Sequence, residues 1–169
     1  MYRPTLITDP HESLRTRTQQ PTLPQWESEM RQATQAERDG HVAIARAGYE
    51  HALSIARQLL DAPPSGRADD CLAALVVSHH NLADLLVDAG EFDAAALHLC
   101  LAHETLIALH LHPGKSASLR RAALHHSRET HVALIRHLAR HGPHPRIART
   151  LEHAHAALDA AVPARQSLS

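Results

Sequence analysis

Aromatic residues are nearly missing from this chain: Tyr2, Trp26, Tyr49 and Phe92 are the whole set among 169 residues. A β-rich core draws on aromatic and β-branched side chains. Their scarcity beside plentiful alanine, leucine, arginine and glutamate argues against a sheet protein and predicts helix throughout. Cysteine occurs only at Cys71 and Cys100, without CxxC spacing. That excludes a disulfide framework, and both read as small buried apolar residues in a reducing compartment. No run approaches the roughly 20 apolar residues of a membrane span. Nor does the start, Met1-Tyr2-Arg3-Pro4-Thr5, carry the apolar run of a signal peptide, so a cytoplasmic location is expected. The length suffices for one domain that buries its core unaided.

What the chain does have is a pattern written three times. Gly40, Ala45, Tyr49 and Ala52 recur as Gly90, Ala95, Leu99 and Ala102, and again as Gly142, Ile147, Leu151 and Ala154. Repeated units bury their core by stacking on one another and leave one extended face for binding. The second unit is the fullest: Asn81-Leu82-Ala83, Leu86, Gly90-Glu91-Phe92, then Ala95, Leu99 and Ala102. It resembles the tetratricopeptide (TPR) family, in which small residues stand where helices cross closely and large ones fill the gaps between units. The first unit departs with Gln32-Ala33 and Ala36, so its first helix is expected to pack thinly. The third has Leu134-Ile135 and Leu138, then His141-Gly142-Pro143-His144-Pro145. The glycines lie 50 and 52 residues apart, against a family repeat of about 34, which implies longer helices or inserted loops.

The expected fold is therefore all-α, a TPR-like solenoid of about six antiparallel helices. Residues 1–23 read as an extended, flexible segment holding Pro4, Pro10 and Pro21, residues 24–161 as the helical domain, and 162–169 as a tail. Helices are expected over about Pro24–Asp39, Val42–Leu60, Asp69–Ala89, Phe92–Leu111, Ser116–Arg140 and Pro145–Ala161. Ser116 is the expected cap of the fifth, and Asp61-Ala-Pro-Pro-Ser-Gly66 is a clear break.

Two strings imitate catalytic motifs. Pro113-Gly114-Lys115-Ser116 ends like a P-loop but has Leu109 where the first glycine belongs, and no strand precedes it. His103-Glu104-Thr105-Leu106-Ile107 begins like a zinc-protease helix, yet Ile107 replaces the second histidine. With no nucleophile motif or phosphate loop, the chain reads as a non-enzyme.

Histidine is the excess. There are seventeen, ten of them between His110 and His155. His137 and His141 are one helical turn apart and His144 follows the Gly-Pro turn, so three imidazoles could converge on Zn, Ni or Cu. Glu152 and His155 have the Glu-x-x-His spacing of helical metal sites. His79 and His131, at equivalent places in units two and three, read instead as filling their helix pairs. Sixteen arginines against one lysine suggest GC-rich coding, which would also inflate surface histidine; no cofactor is required by this sequence.

Charge is uneven beneath a net value of −1. Residues 1–109 carry 8 basic and 15 acidic groups, and residues 110–169 carry 9 basic and 3 acidic ones. Such opposite ends suit head-to-tail self-association, or docking of an acidic partner on the third unit. Nucleic acid is disfavoured because the basic half has no aromatic residue for stacking. The resemblance implies that the first helix of each unit lines a concave groove, with His80, Asp84 and Asp88 on helix three and Glu129, Arg136 and Arg140 on helix five. That mixture differs from the Lys/Asn set with which some TPR cochaperones grip a C-terminal carboxylate. The functional expectation is an adaptor or chaperone that holds a peptide or helix of a protein partner. It is similar in outline to bacterial TPR-type secretion chaperones; the other expectation is a His-rich metal-binding or metal-responsive protein.

Overall fold

The structure, a computed structural model, describes residues 20–161. Six α-helices follow in order: α1 Leu23–Arg38, α2 Val42–Asp61, α3 Ala68–Asp88, α4 Phe92–Leu111, α5 Ala117–His141 and α6 Pro145–Ala161. The fold is an all-α helical repeat, and there is no strand among the described residues. Most of the segment expected to be extended, residues 1–19, and the tail 162–169 lie outside the described residues. α1 starts at Leu23, one residue before the expected start, with Thr22 as its N-cap. The Thr22 side chain accepts the Gln25 N–H at 3.3 Å while the Gln25 side chain accepts the Thr22 N–H at 2.9 Å, and Pro24 sits in the first turn, where it forfeits no bond. Ser116 caps α5 by accepting the Leu119 N–H at 3.3 Å.

The first two intra-unit turns are one motif used twice. Gly40 and Gly90 both have φ 77°, which glycine alone adopts without strain. Behind each glycine the next N–H reaches back five residues, His41 to Ala36 O and Glu91 to Leu86 O, both at 2.8 Å. This closes the helix ends and starts the return helix two residues after the glycine. Gly142 also has positive φ, 91°, but Pro143 follows it and has no N–H to donate. The back-bond is lost and α6 starts only at Pro145.

Packing follows from those turns. α2 lies on α1, α3 on α2, α4 on α3 and α5 on α4, while α1, α3 and α5 also meet as a row. In the third unit, however, α6 leans on α4 and scarcely touches α5. The repeat positions fill the core as their sizes require. Ala45, Ala52, Ala95 and Ala102 are fully buried at the crossings, Tyr49, Leu82, Leu86 and Leu134 are the large fillers, and Ile147 seals α6 against α4.

Three expectations need correction. The first helix does not pack thinly: α1 and α2 are the most intimate pair, because Gly48 has no side chain and Ala33 comes so close that a Cβ there would stand 2.8 Å from the Ala33 Cβ. The small residues of α1 close the gap instead of leaving it. His79 is buried as expected, but His131 is exposed, since α6 does not fold over α5 to cover it. Finally, α3 and α4 are long and apolar enough, by length and composition, to cross a membrane. Both are central in the stack, with helices packed on two sides, and their apolar residues supply the shared core.

Candidate binding groove

Helical periodicity puts His80, Asp84 and Asp88 one turn apart along α3, and Ala133, Arg136, His137, Arg140 and His141 along facing turns of α5. Where these helices meet they enclose a pocket of about 100 Å³, lined by His80, Asp84, Arg136, Arg140, His137 and His141, with Leu99 of α4 among the apolar residues beneath. Four of the six expected partner-binding residues thus share one pocket. Glu129 stands one step along α5, its Oε1 3.8 Å from His80 Nδ1. It lines an adjoining cleft of about 370 Å³ with His80, Val132 and Arg136. Asp88 is outside both, exposed on the last turn of α3.

The electrostatics have two sides. On α3, burial raises the Asp84 carboxyl, His80 opposes the rise, and the negative neighbours Asp88 and Glu37 add to it. Burial lowers His80 against the pull of Glu129 and Asp84, and its Nε2 is buried without a hydrogen-bond partner. On α5, Arg136 and Arg140 are exposed, one turn apart and on the same side. An acidic α3 rail therefore faces a basic α5 rail, with an unfilled imidazole nitrogen between them. Such an arrangement can hold a segment that carries charges of both signs, the guanidinium groups giving paired bonds to carboxylates.

Of the three histidines expected as metal ligands, His137 and His141 line the pocket, and His144 lies outside it. The His137 ring lies 4.7 Å from that of His141 and 6.4 Å from that of His144, centroid to centroid. His137 is buried, and that burial, followed by His141 and His144, holds it below the usual imidazole value. Among the described residues, no group of three or more His, Cys, Asp or Glu side chains is placed to hold a metal ion, these three histidines included. Two neighbours from α4, neither linked to these histidines by the sequence, stand against them. Phe92 stacks on His141 at 4.6 Å, and Asp93 Oδ1 is 3.1 Å from His144 Nε2. Nothing in the spacing of a single chain announces such contacts across units. Glu152 and His155 do not pair, and His155 meets Asp159 instead, 3.2 Å away.

A family model described as "Protein of unknown function (DUF2753)" matches residues 24–169. The chain belongs to that family. The DUF2753 match opens at Pro24, in the first turn of α1, and spans every helix that builds the groove. No curated protein and no solved structure matches the chain.

Proposed function

We propose that this DUF2753 chain is a TPR-like adaptor or chaperone, not an enzyme, that holds a peptide or helix of a partner protein across α3 and α5. The observation that carries the reading is the convergence of His80, Asp84, Arg136 and Arg140 on one pocket with exposed guanidinium groups. A partner segment bearing carboxylates fits the α5 rail, and a basic or hydrogen-bonding residue beside them fits Asp84. Reversing both arginines, Arg136→Glu with Arg140→Glu, tests it. Both side chains are exposed, so the fold should change by less than about 0.5 kcal/mol, while partner affinity drops at least tenfold and its salt dependence flattens. A folded double variant that binds the same partner equally well rejects the groove.

A further inference from the structure

We infer that the cleft between α5 and α6 is a docking site for an acidic amphipathic helix of a partner protein, on a surface apart from the α3–α5 pocket. The repeat itself shows what shape belongs there. In the second unit α4 lies along α3, and the Nδ1 of His98 on α4 stands 3.2 Å from the Nδ1 of His79, whose residue is left 1% exposed. His131 holds the equivalent place on α5, but α6 leans on α4 and leaves it exposed. What α4 does for α3, no helix among the described residues does for this flank of α5.

The cleft left by that lean has a volume of about 390 Å³. Leu124 and Val132 line it from α5, Leu151 and Leu158 from α6, and Ile107 from α4 beneath. Leu151 and Leu158 are two turns apart, about 10 Å along α6. An incoming helix with apolar residues at i, i+3 or i+4 and i+7 presents a stripe of that length, which is how one helix face fills a groove. Val132 is 52% exposed and Leu151 and Leu158 are half-buried, so the surface that such a helix would cover now meets water.

The charge around the cleft selects the sign of the partner. No carboxylate is among the described residues that line it; its charged and titratable side chains are Arg128 and three histidines. The sequence around it is basic as well, with 9 basic groups against 3 acidic ones in residues 110–169. Glutamates bordering the partner's apolar stripe would make directional bonds to Arg128, where lysines would meet like charge. The α3–α5 pocket holds Asp84 and lacks this selection.

The test uses the full chain and a synthetic dye-labelled peptide of about 18 residues, long enough to be helical when bound, with a leucine stripe at i, i+3, i+4 and i+7 bordered by glutamates. Anisotropy titration should show one peptide bound per chain. Binding should weaken at least tenfold when lysines replace the glutamates, and likewise when the leucines are shuffled off one face. Leu158→Asp should cost at least tenfold and Leu158→Met little, which separates lost docking from a damaged fold. Arg128→Glu should erase the preference for the glutamate peptide. Arg128 also lines the cleft beside the α3–α5 pocket, so Arg136→Glu with Arg140→Glu is the control. It should weaken binding less than threefold at physiological salt, where exposed charges more than about 8 Å apart are screened. Failure of the parent to bind the glutamate peptide overturns the inference, as does equal binding of the lysine peptide or undiminished binding by Leu158→Asp. A larger loss in the arginine pair than in Leu158→Asp would put the peptide in the pocket and overturn it too. So would two results that name another occupant: a tenfold gain in affinity on Val162→Ser with Leu168→Ser, which would make it the chain's own tail, or self-association abolished by Leu158→Asp, which would make it a second copy.

Discussion

Acid should destabilise this fold well above the range in which carboxylates protonate, and His79 is the main reason. The ring is 1% exposed on α3, with its Nδ1 3.2 Å from the Nδ1 of His98 on α4, so at least one of the pair must stay neutral. Burial, followed by the charges of His98, Arg57 and His80, lowers the His79 pKa to about 3. In the unfolded chain it titrates near 6.5. The folded form binds fewer protons, so this contribution is complete above about pH 6.5 and is lost as pH falls toward 3. At pH 5 the unfolded imidazole has gained about 2 kcal/mol from protonation while the folded one has gained almost nothing. That is a large share of a typical domain's 5–15 kcal/mol. Burial also lowers His98 and His103, so the whole chain should lose more than His79 alone explains. Urea denaturation at pH 7.5, 6 and 5 measures it, with His79→Leu for comparison. The stability gap between parent and His79→Leu should shift by about 2 kcal/mol in favour of the variant between pH 7.5 and pH 5. Parallel stability curves for the two proteins would refute the reasoning.

Gly48→Ala should destabilise by about 1 kcal/mol although alanine is the better helix former, because the new Cβ meets Ala33. Adding Ala33→Gly should cost less in that background than alone, a coupling that a denaturant double-mutant cycle reads directly. Ala95→Leu, at a crossing with no exposed surface, should lose about 1–3 kcal/mol by overpacking; an unchanged urea midpoint would show slack at that crossing.

Much of the fold is legible because its signals are local. Gly40 and Gly90 mark turns that only positive φ can make, Ser116 marks a cap, and the bounds of α4 and α6 coincide with the expected Phe92–Leu111 and Pro145–Ala161. The third unit shows where repeat spacing misleads. Ile147 and Ala154 keep the pattern and are buried, yet the missing N–H of Pro143 changes what the turn can do, and α6 docks on α4 instead of closing on α5. His131 consequently lines an apolar cleft of about 390 Å³ with Val132, Leu151 and Leu158 rather than filling a helix pair. The groove residues on α3 and α5 are readable from helical period, since a shared face is a property of each helix alone. Asp88 is the exception, because where the pocket ends depends on how far α5 runs beside α3. Phe92 and Asp93 could not be read at all, since their partners lie about fifty residues away and meet them only through packing.

Site-specific photocrosslinking tests the central claim most directly. A photoreactive residue placed in turn at Asp84 and Glu129 in the groove, and at His153 and Ala156 on α6, is irradiated in the cells from which the chain comes. Covalent partner adducts should form from the two groove positions and not from α6, and should vanish when Arg136→Glu and Arg140→Glu are added. Adducts that form only from α6, or groove adducts unchanged by the double reversal, would contradict the account.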